Sequence, residues 1–268
     1  MNKKNNLSSK IDSELNPLQP TAYSLQPPLP LQSPTSDLQA ISALQPSSVK
    51  NLFTSIAKRY ELANHLLCGG MDVWWRAVAA RSVASWAPKR LLDIATGNGD
   101  LAVAIKKKSP STQIIGADFC HAMLLEAAKK NIPWLVEADG LSLPFANESF
   151  DAVTIAFGLR NMASWETGLH EMERVLCPGG HLLILDFSLP KVLLLLPLYR
   201  FYLHKILPSV AGWVTGQPEA YSYMGTSIEQ FPSGKAMEIL LEQSGFCETK
   251  SQPLTLGVVS IYHAKKRI

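Results

Sequence analysis

Between residues 90 and 187, short apolar runs alternate with amphipathic helical patterns, and this alternation constrains the fold more than any other feature of the chain. The runs predict strands at 90–95, 113–118, 133–137, 150–156 and 180–187, and the patterns predict helices at about 99–108, 120–130, 165–176 and 234–244. Strands separated by helices require right-handed crossovers and therefore form a parallel sheet. Two last runs, 247–252 and 256–264, predict a hairpin around Pro253 with an antiparallel edge strand. The expected fold class is α/β, with ligands at the carboxyl ends of the strands.

Residues 1–48 differ in composition from the rest of the chain. They are rich in Pro, Ser and Gln and contain few large apolar side chains, so we expect a disordered tail. Beyond the tail, one helix is predicted from residue 50 to Gly69-Gly70, and another from Asp72 to Pro88. Residues 49–268 are therefore predicted to form one domain that begins with helices.

Composition argues against several classes of function. The net charge is only +3 and the basic residues are scattered, so nucleic acid is not an expected partner. The 4 cysteines are far apart and form no Cys-x-x-Cys pair, which indicates neither a zinc site nor a disulfide framework. Reduced thiols favour a cytoplasmic setting. The apolar stretch at 189–198 is too short to span a bilayer and favours a core helix or an amphipathic segment at a membrane surface.

The stretch LLDIATGNGD at 91–100 runs from the first strand into a glycine turn, and its pattern admits two cofactors. Its glycines and the later Asp118 fit a loose dinucleotide-binding pattern. Asp93 and Asp100, however, would repel a pyrophosphate. S-adenosylmethionine carries a sulfonium, an ammonium and only one carboxylate, so acids beside the turn suit its charge. Asp100 also fits the role of a first-turn acid that the helix dipole favours, and both interpretations stay open.

Polar residues follow the next three strands as well. Asp118 ends the second strand, where its carboxylate can accept hydrogen bonds from both ribose hydroxyls or cap the following helix. Asp139, just before Gly140, can contact an adenine amino group or occupy a turn. Arg160 and Asn161 come after the fourth strand. Because the carboxyl ends of parallel strands share one edge, these side chains are expected to line one site.

Several motifs together make the sequence similar to a known family. LLDIATGNGD at 91–100, GADF at 116–119, LPF at 143–145 and PGG at 178–180 resemble motifs of class I S-adenosylmethionine-dependent methyltransferases. Three longer stretches closely resemble the C-methyltransferases of menaquinone and ubiquinone biosynthesis: SFDAVTIAFGLRNM at 149–162, EMERVLCPGGHLLILDFSLP at 171–190 and EAYSYMGTSIEQFP at 219–232. The likeness runs from about Phe53 to Lys266. It implies a Rossmann-like, mostly parallel seven-stranded sheet with helices on both faces and an antiparallel edge hairpin.

The resemblance also implies a cofactor, an acceptor and a set of binding residues. The cofactor is S-adenosyl-L-methionine, and no metal is implied. The acceptor is a lipophilic quinol, either demethylmenaquinol or a polyprenyl methoxy-benzoquinol, and the choice between them stays open. Cofactor contacts are expected from nine residues: Asp93, Thr96, Gly97, Asn98, Gly99, Asp118, Asp139, Gly140 and Ala156.

The chain departs from the family pattern at some positions. Glu61 stands where an Asp is usual, Asp72 replaces a His, and Tyr262 occupies the place of a carboxyl-terminal His, with His263 next to it. Asn98 stands where a Thr is usual, and Ala156 where a small hydroxyl residue often precedes Phe-Gly. No catalytic histidine is therefore carried over from the family to this sequence.

Charge indicates how such an acceptor would react. A quinol ring carbon becomes nucleophilic when the neighbouring hydroxyl loses its proton, and a permanently charged guanidinium favours that loss. We therefore predict that Arg160 stabilises the phenolate and that Asn161 orients the quinol oxygen. The general base stays open among water and four side chains: Asp72, Glu61, His170 and His204.

Two segments are predicted to cover a lipophilic pocket, namely the helices at 49–88, as a lid, and a substrate-side insertion at 189–232. Peripheral contact with the inner face of a membrane is expected, and a homodimer is left open. Two alternative functions are an NAD-dependent oxidoreductase and a non-catalytic S-adenosylmethionine-binding module. A nucleic-acid amino-methyltransferase is weaker, because Ala156-Phe157-Gly158 replaces the Asn/Asp-Pro-Pro-aromatic signature of that class.

Overall fold

The computed structural model describes residues 68–190, 192, 194–209 and 218–268, apart from the side chains of 218–223. The predicted tail at 1–48 and the predicted helix that begins at residue 50 lie outside these residues, as does Glu61. The two predicted covering segments are therefore described only in part.

Seven strands of the described chain form one mixed sheet with the order β3-β2-β1-β4-β5-β7-β6. Strand β7 runs antiparallel to both β5 and β6, and the other pairings are parallel. This arrangement confirms the predicted α/β class with an antiparallel edge. The strands are β1 (Arg90–Ile94), β2 (Gln113–Asp118), β3 (Trp134–Glu137), β4 (Phe150–Ala156), β5 (Leu176–Phe187), β6 (Phe246–Leu254) and β7 (Val259–Lys266).

Helices connect and cover the strands. Within the described chain they are α1 (Met71–Trp86), α2 (Asp100–Lys108), α3 (His121–Ala128), α4 (Trp165–Val175), α5 (Leu195–Phe201), α6 (Pro218–Gln230) and α7 (Lys235–Gln243). A π-helical turn, Tyr202–Ile206, continues α5. Local chemistry explains where α4 begins, because the hydroxyl of Ser164 accepts a hydrogen bond from the backbone N–H of Thr167 at 3.1 Å.

The core lies on both faces of the sheet, because successive strand residues point to opposite sides. Leu91 and Leu183 pack on one face with Trp75 and Val83 of α1. The neighbouring residues Leu92 and Leu182 pack on the other face, in a cluster that also holds Met172 of α4 and Leu241 of α7. The strands are thus buried on both sides, which is why their sequences are nearly continuous apolar runs.

Two predicted boundaries were wrong at the antiparallel edge. Pro253 does not sit in the hairpin turn but inside β6, paired with Ser260, and the turn is the short 3-10 segment Thr255–Gly257. A proline is tolerated at an edge strand, where its missing N–H faces away from the ladder. Strand β5 begins at Leu176 rather than at residue 180, because a register shift between Phe150 and Ala152 of β4 accommodates the extra residues.

Register brings the carboxyl ends of three strands together. Ile94, the last residue of β1, pairs with Ala117 of β2 and with Ile155 of β4. From β1 the sheet extends in one direction through β2 to β3, and from β4 it extends in the other direction to β5. The strand order therefore reverses between β1 and β4. Open α/β sheets bind their ligands at such a switch point.

None of the helices in residues 68–190, 194–209 and 218–268 has both the length and the apolar character needed to cross a bilayer.

Candidate functional site

A cleft of about 730 Å³, partly open to solvent, lies where the strand order reverses. Seven of the residues predicted from the sequence line it: Asp93, Thr96, Gly97, Asn98, Asp118, Ala156 and Asn161. The structure therefore brings together residues that lie up to 68 positions apart in the chain.

Asp93 forms the floor of the cleft and is almost fully buried, with 1% of its surface exposed. One carboxylate oxygen accepts a hydrogen bond from the hydroxyl of Thr154 at 2.6 Å, and the other accepts one from Thr96 at 2.7 Å. Burial raises the pKa of Asp93 to about 6, although both hydroxyl bonds work in the opposite direction. Asp93 thus titrates close to neutral pH and ties β1 to β4.

The glycine turn is held by the acid at the end of β2. Asp118 accepts a hydrogen bond from the backbone N–H of Gly97 at 2.8 Å through one oxygen, and from that of Cys120 at 2.9 Å through the other. Burial raises the pKa of Asp118, and these backbone bonds oppose the rise. Each carboxylate oxygen can accept a further bond, so the predicted contact with ribose hydroxyls fits this arrangement.

Gly99 shapes the turn from outside the cleft lining. Its φ of +83° lies in the left-handed region, and a Cβ built there would lie 2.2 Å from Cδ1 of Ile132. Glycine at this position avoids a strained backbone, and any larger residue would also require the Ile132 side chain to move.

Arg76 is a functional candidate that the sequence reasoning did not assign. It extends from α1 into the cleft, where one guanidinium nitrogen lies 3.7 Å from Oδ2 of Asp100. Another nitrogen donates a short hydrogen bond to the buried Asp72, one helical turn earlier. The spacing of four residues between Asp72 and Arg76 was the available signal, because such pairs face each other on a helix.

Asp100 is engaged at the helix start rather than free in the cleft. Burial would raise its pKa, but the positive charges of Arg76 and Lys130 and hydrogen bonds from Lys130 and Asn98 hold that pKa below its ordinary value. Asp100 is therefore ionised at neutral pH. Its carboxylate interacts with Arg76 of α1 and with Lys130, which follows α3.

Arg160 and Asn161 lie in the 3-10 turn Leu159–Asn161, directly after β4. The guanidinium of Arg160 donates to Oδ1 of Asp186 at 2.7 Å and to the carbonyl of Phe157 at 2.8 Å. Asn161 donates to the same carbonyl at 3.3 Å and reaches the cleft, whereas Arg160 is 7% exposed and stands behind the cleft lining.

Asp139 and Gly140 do not belong to the described lining of the cleft. Asp139 is exposed, and its carboxylate accepts a hydrogen bond from the backbone N–H of Leu141 at 2.9 Å, as a turn residue does. A Cβ on Gly140 would meet Cε of Met162 at 2.5 Å, so this glycine makes room for a side chain. A contact between these two residues and adenine stays a prediction.

The candidates for the general base lie in different surroundings. His170 is exposed on α4, and Nε2 of His204 lies 3.2 Å from a carboxylate oxygen of Glu229. Asp72 is buried against Arg76 and is not among the residues that line the cleft. Asp186 is a buried acid beside Arg160 that the sequence reasoning missed, because nothing local marks it among the apolar residues of β5.

Comparison with known proteins identifies the family. Residues 41–266 match the model of the ubiE/COQ5 methyltransferase family. The chain belongs to that family. The chain is 42% identical to a demethylmenaquinone methyltransferase of Thermus thermophilus, over 79% of this chain and 98% of that protein. It is also 42% identical to a ubiquinone/menaquinone biosynthesis C-methyltransferase UbiE of Syntrophotalea carbinolica, over 79% of this chain and 91% of that protein.

Solved structures agree with this methyltransferase in fold. An S-adenosylmethionine-dependent methyltransferase of Thermotoga maritima superposes with a TM-score of 0.57 at 18% identity, over 81% of this chain and 99% of that one. Human N-acetylserotonin methyltransferase in complex with S-adenosylmethionine gives a TM-score of 0.54 at 18% identity, over 81% of this chain and 59% of that one. The predicted family, class I fold and S-adenosylmethionine cofactor are thereby confirmed.

The cleft of this methyltransferase fits the charge of that cofactor. Three acids line it, Asp93, Asp100 and Asp118, and they suit a sulfonium and an ammonium. Arg76 lines the same cleft and suits a carboxylate. A nicotinamide dinucleotide would instead bring a pyrophosphate against these acids, so the oxidoreductase alternative is not favoured.

Proposed function

We propose that this methyltransferase transfers a methyl group to a ring carbon of a polyprenylated quinol, demethylmenaquinol or a polyprenyl methoxy-benzoquinol. The names of the relatives support this acceptor class, because demethylmenaquinone methyltransferases and UbiE proteins share 36–42% identity with the chain. The observation that carries the proposal is the turn after β4. It presents Asn161 to the cofactor cleft and holds Arg160 directly behind it.

The residues of the cleft would hold the donor by complementary charge and by shape. Bound S-adenosylmethionine supplies an electrophilic methyl group. Asp118 would accept hydrogen bonds from ribose hydroxyls while it keeps the glycine turn closed through Gly97. Asp93 and Asp100 would attract the cationic end, and Arg76 would pair with its carboxylate.

Arg160 and Asn161 would prepare the acceptor. A guanidinium next to a quinol hydroxyl lowers the pKa of that hydroxyl, so that negative charge reaches the neighbouring ring carbon. Asn161 would hold the quinol oxygen through its side-chain amide. A water molecule or Asp72 would accept the departing proton, since His170 is exposed and His204 pairs with Glu229.

An aromatic cluster next to this turn would keep water away from the reacting carbon. The rings of Phe157 and Phe187 lie 4.9 Å apart, and Trp75 packs against both at 6.2 and 6.1 Å. The guanidinium of Arg160 lies 5.2 Å from the ring centre of Phe187. Methyl transfer depends on holding carbon and methyl in attack geometry with solvent excluded, which a rigid apolar wall provides.

We also propose peripheral contact with a membrane, through the segment from Leu194 to Ile206. Leu194, Leu198 and Phe201 are exposed to 84%, 64% and 56%, and their spacing places them on one helical face. On the opposite face Leu203 and Leu207 are buried at 1% and 2%. An amphipathic helix of this kind lies in a bilayer surface, where a polyprenyl acceptor resides. The question of a homodimer, left open by the sequence, can be decided by sedimentation velocity.

The function is tested by methyl transfer from labelled S-adenosylmethionine. The full chain is incubated with reduced demethylmenaquinone or with the reduced benzoquinone, each in detergent. We expect label in at least one ring, and transfer slowed by about 100-fold in Arg160→Ala with retained binding of S-adenosylhomocysteine. An inactive wild-type protein that still binds S-adenosylhomocysteine would instead favour the non-catalytic binding module.

A further inference from the structure

Asp186 lies at the carboxyl end of β5 and has no exposed surface. Its Oδ1 accepts hydrogen bonds from the guanidinium of Arg160 at 2.7 Å and from the backbone N–H of Phe187 at 2.8 Å. The backbone N–H of Arg160 also bonds to this carboxylate, whose Oδ2 is buried. A fully buried carboxylate is costly, so its presence calls for a reason other than packing.

The pair with Arg160 does not supply that reason through stability alone. Removing two charges from water costs about as much as their attraction returns, and apolar replacements of buried ion pairs are often equally stable. Burial also raises the pKa of Asp186, against the effect of Arg160. The pair does fix the orientation of the Arg160 side chain, because a contact with a carboxylate orients the planar guanidinium.

The hydrogen bonds of Arg160 also support the turn after β4. The same nitrogen of Arg160 that meets Asp186 also donates to the carbonyl of Phe157, and Asn161 donates to this carbonyl too. Phe157 has a φ of +57°, a left-handed conformation that is strained for a bulky residue. Its N–H is held by the carbonyl of Leu185 at 2.8 Å, next to Asp186. Asp186, Arg160 and Phe157 therefore form one connected support for the turn.

We propose that Asp186 is a positioning residue for methyl transfer, which holds the Arg160 guanidinium and the Phe157–Asn161 turn in the orientation that the acceptor requires. This inference rests on the proposed function, in which Arg160, held behind the cleft lining, stabilises the negative charge on the quinol oxygen. Asp186 itself does not touch the cofactor cleft. Its contribution passes through Arg160, and it belongs to the transfer step rather than to donor binding.

A double-mutant cycle tests the proposal with the full chain. The variants are Asp186→Asn, Arg160→Met and the two combined, with Asp186→Glu as the conservative variant. Ser188→Ala is the matched control, because Ser188 is buried two residues further on and bonds to Gly257 and Ser260 instead of Arg160. Measured are kcat and KM for methyl transfer, the Kd of S-adenosylhomocysteine, and the melting temperature.

Asp186→Asn is expected to lower kcat by about 100-fold, the scale of a misplaced catalytic group, with an unchanged Kd for S-adenosylhomocysteine. Asp186→Glu should recover part of that loss, and Ser188→Ala should match the wild type. In the Arg160→Met background, Asp186→Asn should cause no additional loss of kcat, because the residue acts through Arg160.

Additive losses in the double variant would overturn the proposal, as would a weaker S-adenosylhomocysteine affinity that accounts for the lower activity. If Asp186→Asn fails to fold, the cycle with Asp186→Glu and Arg160→Lys decides the matter by the same criterion. Failure of the proposed function is distinguishable, because it would appear as absent methyl transfer in the wild-type protein.

Discussion

Asp118 at the end of β2 accepts a hydrogen bond from the backbone N–H of Gly97 in the turn after β1, with 2.8 Å between the two atoms. The acid proposed to hold the ribose therefore also fixes the glycine turn that lines the cleft. Structure and binding are coupled at this position, since a change of Asp118 alters both the turn and the ligand contact.

Asp118→Ala is expected to weaken S-adenosylhomocysteine binding and to lower the stability of the fold. The substitution leaves the N–H groups of Gly97 and Cys120 without their acceptor, at a cost of about 1–3 kcal/mol each. Calorimetric titration and thermal melting measure the two effects. Asp151→Ala is the matched control, because Asp151 accepts from the N–H groups of Lys89 and Arg90 at the other end of β1. The control should lose stability and keep its affinity; an equal loss of affinity in both variants would contradict the assignment of Asp118.

Binding of S-adenosylmethionine is expected to weaken as the pH falls from 7 to 5. Burial raises the pKa of Asp93 to about 6, so its carboxyl gains a proton in this interval and loses the charge that suits a cationic donor. If only the ionised form binds, the affinity falls by about tenfold at one pH unit below the pKa. The Kd is measured by calorimetry at several pH values, and Asp93→Asn should flatten the profile. A profile that Asp93→Asn leaves unchanged would assign the titration to another group.

The raised pKa of Asp93 also predicts that stability changes with pH in the opposite direction to binding, so that it is higher at low pH. Because the pKa of Asp93 is raised above its ordinary value of 3.8, the folded state holds the proton more tightly than the unfolded state does. The contribution of Asp93 to stability is therefore full below pH 4 and is lost as the pH rises through 6. Denaturant unfolding of the wild type and of Asp93→Asn between pH 4.5 and 7.5 isolates this contribution, and a difference between them that does not change with pH would refute it.

The two glycines of the turn are expected to respond differently to alanine. Gly97→Ala meets no atom within 4 Å and carries only the cost of a left-handed backbone, about 1 kcal/mol. Gly99→Ala adds a contact of 2.2 Å with Cδ1 of Ile132, so it should lower the free energy of unfolding further. Adding Ile132→Ala should return part of the difference. Equal losses for the two single variants, measured by urea unfolding, would show that Ile132 moves aside without cost.

Replacing Leu198 and Phe201 together by glutamate is expected to reduce liposome binding at least tenfold. Burying each of these side chains in the bilayer contributes about 1.5–3 kcal/mol, and a charge reverses the gain. The measurement is flotation with anionic vesicles. Leu125→Glu is the matched control, because Leu125 is 55% exposed on α3. The double variant should still methylate a short-tailed quinol in detergent. Flotation equal to that of the wild type would contradict the proposed membrane surface.

Local patterns in the sequence determined most of the central fold. The strands from β1 to β4 are apolar runs bounded by turn residues, so burial and periodicity specify them without distant contacts. The glycine turn also follows from local chemistry, because Gly97 and Gly99 adopt positive φ angles that other residues avoid. Local features therefore suffice to place Asp93 and Asp118 at the same edge of the sheet.

Only the tertiary structure decided which side chains meet at that edge. Arg160 reaches Asp186, 26 residues later, and Arg76 approaches Asp100 from another helix, and neither contact leaves a local pattern. The position of Pro253 inside β6 likewise depends on its place at the sheet edge. Periodicity and turn chemistry act over a few residues, whereas the orientation of a charged side chain is set by whichever buried partner the packed sheet brings within hydrogen-bonding distance.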